Sequence, residues 1–279
     1  MSAPLDTALT AIADWPVPTA AAAVIGRDGT LASFGPQAHP FALASVTKPL
    51  AALCMLVAVE EGALELTAPA DESLIPGATL RHLLAHASGL APERRMRSFA
   101  PGVRRVYSNV GIELAADLVA AAVDMPFPSY VDESIVTALG LRETSVHGSA
   151  ARDGVASVRD LARVVHELLA PSGFLHPSTL TDATSVQYPG LRGVLPGFGS
   201  QDPNDWGLGF EIRGSKHPHW TGSANSPATY GHFGQSGTFL WVDPSAQIGL
   251  VALTDRDFDT WAAQAWPALA NAVLAAVER

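Results

Sequence analysis

The chain has 279 residues, 48% of them hydrophobic, with 27 Asp or Glu against 17 Lys or Arg, a formal net charge of −10. This length and apolar content can bury a large core in one domain or in two intertwined parts. The negative balance repels phosphate backbones and anionic lipid, so neither nucleic acid nor a membrane surface is an expected partner.

The opening MSAPLDTALTAIADWPVP carries Asp6, Asp14, Pro4, Pro16 and Pro18 with no basic cluster before an apolar run. It does not read as a signal peptide, and no apolar run reaches membrane-spanning length, so the expected location is the cytoplasm. Residues Ala20 to Ser33 read as a β-hairpin turning at Gly26-Arg27-Asp28-Gly29. From Ser45 to Glu61 the apolar residues Leu50, Leu53, Cys54, Val57 and Ala58 recur at helical spacing, with Gly62 as C-cap. Cys54, the only cysteine, reads as a packed core thiol. Further helices are predicted over Leu80–Ala87, Gly111–Val123, Tyr130–Leu139 and Val158–Leu169, the last with Ser157 as N-cap. Residues Pro171 to Asn204, rich in Gly, Pro, Ser and Thr, form an irregular excursion. Strands follow at Gly207–Arg213, Gly237–Val242 and Gln247–Thr254, the last two joined by a turn at Asp243-Pro244-Ser245-Ala246, before a helix over Asp259–Val277. Strands at both ends around a helical middle predict an α+β fold: residues 1–60 and 205–279 build an antiparallel sheet flanked by helices, and 61–204 an all-α part.

Three short motifs carry chemistry. In Ser45-Val46-Thr47-Lys48 the serine and lysine are three apart, on one side of a helix, so the amine can reach the hydroxyl it would activate. A lysine acts as a base near neutrality only if desolvation or positive charge lowers its pKa. Pro49 is tolerated in a helix only in the first turn, which places Ser45 at a helix N-terminus, where free N–H groups favour a developing oxyanion. The second motif is Tyr107-Ser108-Asn109, with Asn109 placed to cap a helix from Gly111. The third, His232-Phe233-Gly234-Gln235, ends a strand-like stretch where Gly234 lets backbone approach a ligand.

The segment F-A-L-A-S-V-T-K-P-L around Ser45 resembles the nucleophile segment of class C β-lactamases and family S12-like serine esterases, within the serine β-lactamase and penicillin-binding-protein superfamily. L-L-A-H-A-S-G-L, V-Y-S-N-V-G-I-E-L, A-L-G-L-R-E-T-S and Y-G-H-F-G-Q-S-G-T-F-L-W-V-D-P resemble further landmarks of that family in the same order, over about three quarters of the chain. The resemblance implies one β-lactamase/transpeptidase-like domain with a cleft between its two parts, and acyl transfer through a covalent ester on Ser45. It implies that Tyr107 and Lys48 shuttle the proton, leaving open which is the general base, since a phenol with a pKa of about 10 needs nearby cations to serve. It gives Asn109 the binding of a substrate carbonyl and of Lys48, and the N–H groups of Gln235 and Ser45 an oxyanion hole. Antibiotic-hydrolysing members carry Lys-Thr-Gly where this chain has His232-Phe233-Gly234. A mostly neutral histidine holds a carboxylate less well than a lysine, so the resemblance favours a carboxylesterase-like hydrolase of small esters or amides. β-Lactamase or D-amino-acid peptidase activity is the alternative, and a catalytically silent ligand-binding homologue the alternative of another class.

No cofactor or metal is expected. His82 and His86, four apart but without the glutamate of His-Glu-x-x-His, read as structural, and His217 and His219 as a surface loop. No Gly-x-Ser-x-Gly elbow and no phosphate-binding Gly-Lys-Ser/Thr is present. Arg94, Arg95, Arg97, Arg104 and Arg105 read as a solvated loop that could touch an anionic substrate at the site entrance.

Overall fold

The computed structural model describes residues 2–277. In chain order the elements are α1 (Ser2–Thr10), β1 (Ala20–Gly26), β2 (Gly29–Phe34), β3 (Phe41–Ala42), α2 (Thr47–Glu60), α3 (Leu80–Leu84), α4 (Asn109–Val123) and α5 (Phe127–Val131). They continue with β4 (Ser145–Val146), β5 (Gly154–Ala156), α6 (Val158–Leu169), α7 (Pro177–Ala183), β6 (Gly193–Leu195) and β7 (Gly199–Gln201). The C-terminal elements are β8 (Glu211–Ile212), β9 (Tyr230–Gly234), β10 (Thr238–Asp243), β11 (Ile248–Thr254) and α8 (Thr260–Val277).

The main sheet is antiparallel with strand order β2-β1-β11-β10-β9-β8, so the two ends of the chain meet at its centre, Ala20 opposite Thr254 and Ile25 opposite Gly249. Strands β1 and β11 are apolar runs because both of their faces are covered. Along β1, Ala21, Ala23 and Ile25 pack into a core shared with α2 and α6, while Ala22 and Val24 pack into a second core with α1 and α8. Close approach of α6 needs Gly249 on β11, where a Cβ would collide with Cγ1 of Val165. The result is an α+β fold in which the mainly helical middle of the chain lies on the α6 side of the sheet; residues 61–204 are not all-α as expected, because β4 and β5 pair with β3 in a small second sheet and β6 pairs with β7.

Pro49 stands in the first turn of α2, and Gly62 follows the helix at φ +76°. Other expectations needed correction. The predicted helix over Leu80–Ala87 stops at Leu84, because His86 turns to φ +53°. The predicted helix over Tyr130–Leu139 is α5 followed by a π-helical turn, Asp132–Thr137. The irregular 171–204 excursion holds α7 and the β6–β7 hairpin. The predicted strand over Gly207–Arg213 shortens to β8, since Gly209 sits at φ +80° against Ala52 of α2. Helix α4 begins at Asn109 and is capped by Ser108, whose Oγ accepts the Gly111 N–H at 3.0 Å, so Asn109 is not the cap.

Ser157 caps α6 as expected, its hydroxyl accepting the Asp160 N–H at 3.2 Å. Ser157→Ala should therefore lower the unfolding free energy in urea by about 1 kcal/mol; no change would mean that the cap is energetically silent.

Candidate active site

Ser45 lies in a 3₁₀ turn, Ala44–Val46, that runs into α2. Ala44 takes a left-handed conformation, φ +45°, which costs a non-glycine residue about 1 kcal/mol. The Thr47 hydroxyl donates to the Ala44 carbonyl at 2.7 Å and accepts the Gly154 N–H at 2.9 Å, fixing this turn against β5. Nothing in an alanine codon position advertises a left-handed backbone, so sequence reasoning could not foresee it.

Lys48, one helical turn on, is fully buried. Its Nζ lies 3.3 Å from Ser45 Oγ and donates to Asn109 Oδ1 at 2.6 Å and to the Ala151 carbonyl at 2.8 Å. Burial pulls the amine down to about 7, with the Glu93 carboxylate opposing the shift. An amine poised near neutrality can take a proton from the adjacent hydroxyl. Glu93 enters through Asn109, whose Nδ2 donates to its Oε1 at 2.5 Å, and Glu93 in turn pairs with Arg152 at 3.3 Å. Neither Glu93 nor Arg152 stands in a recognisable motif.

The Tyr107 hydroxyl donates to Ser45 Oγ at 2.7 Å, and Lys48 Nζ lies 4.6 Å from the centre of its ring. Burial pushes the phenol well above its ordinary value, so the tyrosine holds its proton while the lysine sheds its own. His86 packs on Tyr107 and edge-on to Trp206, and its Nδ1 accepts the Ser108 N–H at 3.2 Å, orienting the tyrosine loop. His82 instead stacks on Tyr188 and bonds Thr79 at 2.9 Å, so the two histidines serve separate contacts.

From the other side β9 delivers the third motif. A Cβ on Gly234 would collide with the Leu43 carbonyl and lie 2.6 Å from Thr238 Oγ1, so only glycine lets the strand end close on the Ser45 turn. His232 is buried and donates from Nδ1 to the Phe233 carbonyl at 2.7 Å, leaving Nε2 an acceptor with no partner among the described residues. Burial, reinforced by the charge of Lys48, depresses the imidazole to about 3, so it stays neutral. Gln235 is anchored by its side-chain amide, which donates to the Phe258 carbonyl at 3.1 Å. Ser45, Tyr107, His232 and Gln235 thus open onto one cavity of about 190 Å³, walled by Leu195 and Trp206. The structure brings together all seven of Ser45, Lys48, Tyr107, Asn109, His232, Gly234 and Gln235 around one cleft.

Two expectations about basic side chains are overturned. Arg105 is no surface residue: it is buried, and its guanidinium donates to the carbonyls of Ala85, Gln187, Tyr188 and Asn204, holding the excursion against the tyrosine loop. His219 is no surface histidine either. It lies buried with Nε2 3.0 Å from Glu211, a carboxylate that also pairs with Lys216 and accepts the Trp220 Nε1–H at 3.0 Å. Burial alone would raise the Glu211 carboxyl, but His219 and Lys216 outweigh it and hold it down at about 2. Glu211 also lines the 190 Å³ cavity, so this cluster forms its wall. His217 does lie exposed.

Solved structures identify the fold as that of the β-lactamases. A β-lactamase from Mycobacterium bovis is 52% identical, with a TM-score of 0.94 over 97% of this chain and 99% of its own. A hydrolase with promiscuous acyltransferase activity shares the fold at a TM-score of 0.79 over 97% of both chains, with 16% identity. The β-lactamase family model matches residues 10–275, and the chain belongs to that family of serine hydrolases. A "Putative D-alanyl-D-alanine carboxypeptidase" from Salmonella schwarzengrund is 24% identical over 212 residues, and the match covers 57% of this chain and 46% of that relative. Among the described residues no helix is long and apolar enough to cross a membrane.

Glu211→Gln leaves the buried Lys216 ammonium without its carboxylate, which should cost about 3 kcal/mol of stability at pH 7. Because the folded carboxyl lies below its ordinary value, its contribution is complete above pH 4.5 and fades as pH falls toward 2. Urea titrations should show the variant losing most relative to wild type at neutral pH and converging with it in acid; a uniform loss at every pH would contradict this.

Proposed function

We propose that the protein is a carboxylesterase-like serine hydrolase of small esters or amides, with Ser45 as nucleophile, Lys48 as general base and Tyr107 as the proton relay to the leaving group. Ser45 Oγ attacks the carbonyl carbon as its proton passes to Lys48, which burial holds at about 7. The bond from carbonyl carbon to the alcohol oxygen then breaks, and that oxygen takes the proton through the Tyr107 hydroxyl, already 2.7 Å from Ser45. Water attacks the Ser45 ester by the reverse path, releasing the acid and returning the proton to the serine. The N–H groups of Ser45 and Gln235 serve as the oxyanion hole, a reading supported by the closeness of Gly234 to the Ser45 turn. Asn109 holds Lys48 through its Oδ1 and contacts the substrate carbonyl group.

The observation that carries the ester preference is His232. It is neutral and buried, and offers an acceptor nitrogen where a carboxylate-binding lysine would have to offer charge. A neutral acyl group loses nothing against that wall, whereas a carboxylate beside the scissile bond meets no fixed cation. The β-lactamase identity of the Mycobacterium bovis relative favours a second reading, in which the same acyl-enzyme opens a β-lactam ring. Parallel assays with p-nitrophenyl butyrate and nitrocefin decide between them: ester turnover exceeding nitrocefin turnover is expected, and nitrocefin turnover without ester turnover would reverse the ranking.

Ser45→Ala should abolish the acyl or fluorophosphonate adduct seen by intact mass, and Lys48→Ala should lower kcat/KM by about 10² to 10⁴-fold. The logarithm of kcat/KM should rise with pH along one limb centred near 7, as Lys48 loses its proton. A limb centred near the ordinary lysine value, about 10.5, would contradict Lys48 as a base at neutral pH.

A further inference from the structure

Beside the 190 Å³ cavity runs a second, larger groove of about 440 Å³, and the two share Tyr107 and Pro196. Its walls are apolar, formed by Phe99 and Val106 on one side and Val194 on the other, and at its lip Arg104 places its guanidinium 5.5 Å from the centre of the Phe99 ring. Phe99 and Val194 are 37% and 52% exposed, and Met96 and Val103 on the same loop are 52% and 60% exposed, an unusual concentration of apolar surface beside a catalytic cleft. The same two segments carry Arg94, Arg97, Arg104 and Arg192, none of which has a carboxylate within ion-pair distance among the described residues. In a chain of net charge −10, this is a local reversal of sign. Resting on the hydrolase reading above, the geometry points to a leaving-group subsite: we propose that the preferred substrate is an ester of a medium-length alkyl alcohol that carries an anionic group at its far end.

The assignment to the alcohol side follows from Tyr107. Its hydroxyl must meet the leaving oxygen, and its ring is where the groove begins, so the alcohol leaves along the groove. The smaller cavity, closed by the buried Glu211 cluster, takes the acyl group and has room for a short one only. The larger groove is open to water, so a charged terminus there keeps most of its hydration while gaining the guanidinium field. An anion at the end of a chain lies in the groove away from His232, unlike a carboxylate next to the scissile bond, so the two substrate features are compatible.

The test holds the acyl group constant and varies the alcohol. Butyrate esters of ethanol, 1-hexanol, 6-hydroxyhexanoate, 6-hydroxyhexyl phosphate and 6-aminohexanol are compared by kcat/KM in wild type, Arg104→Glu and Val194→Asp. Both anionic esters are expected to exceed the amino ester by about ten-fold at low salt, with the ratio falling toward one at 0.5 M NaCl. The carboxylate and phosphate arms show which anion is preferred. Arg104→Glu should invert the ratio, and Val194→Asp should erase the advantage of hexyl over ethyl ester, expected at several-fold in wild type. Equal rates for the anionic, neutral and cationic esters, unchanged by Arg104→Glu, would overturn the proposal while leaving the hydrolase reading intact. Absence of ester turnover would count against the hydrolase reading instead, and the groove is then read without turnover: titration of the free alcohols against tryptophan fluorescence should still rank 6-hydroxyhexanoate tighter than 6-aminohexanol, and the opposite or no ranking would overturn the subsite.

Discussion

The site depends on taking one ammonium group out of water. Lys48 lies fully buried at the junction of three parts of the chain: its own helix α2, Asn109 at the start of α4, and the Ala151 carbonyl before β5. Asn109 and the Ala151 carbonyl each accept a hydrogen bond from the amine, and Ser45 Oγ, in the turn that leads into α2, is the third contact around Nζ. Desolvation lowers the amine toward neutrality, while the charge of Glu93, whose carboxylate is hydrogen-bonded to Asn109 and not to the amine, only moderates the shift. A direct salt bridge would have raised the pKa back toward the ordinary lysine value and kept the amine a cation. The helical middle of the chain is therefore required chemically, since without α4 and the Ala151 turn Lys48 would be solvated.

The sheet supplies the opposing half. Pairing of β1 with β11 brings the chain ends together, and β9 and β10 extend this frame until the Gly234 turn closes on the Ser45 turn. Position 234 tolerates no side chain because the Leu43 carbonyl occupies the space a Cβ would fill. The same strand presents His232 as a neutral acceptor, and β8 presents Glu211, whose carboxylate is paired with Lys216 and in hydrogen-bond contact with His219 and Trp220 at the cavity wall. Unpaired charge is thus kept away from the 190 Å³ cavity, while the arginines of the neighbouring loop stand beyond Tyr107.

Much of this was legible in the sequence because it is local. The Ser45-x-x-Lys48 spacing and Pro49 fix a helix start by backbone geometry alone, and Ser157 and Gly62 mark helix ends through their own hydrogen bonding or conformation. The remainder depends on tertiary environment. Arg105 looks like its exposed neighbours in a basic run, yet four backbone carbonyls from three distant segments satisfy it in the interior. His219 lies only eight residues from Glu211, but a carboxylate, lysine and histidine scattered over a glycine- and proline-containing stretch carry no period that would declare them neighbours. Helix α1 was invisible for the opposite reason: its apolar residues Leu5 and Leu9 are few, and it is stabilised by packing on α8 and β2, over 200 residues away in the first case.

The chain contains only two lysines, Lys48 and Lys216, so the protonation of the buried amine can be followed directly by carbon NMR of protein labelled at the lysine ε position, with Lys48→Arg as the assignment control. A resonance absent from that variant should titrate with a midpoint near pH 7. A midpoint at the ordinary lysine value, about 10.5, would contradict the account, because the amine next to Ser45 would then be a permanent cation and no base.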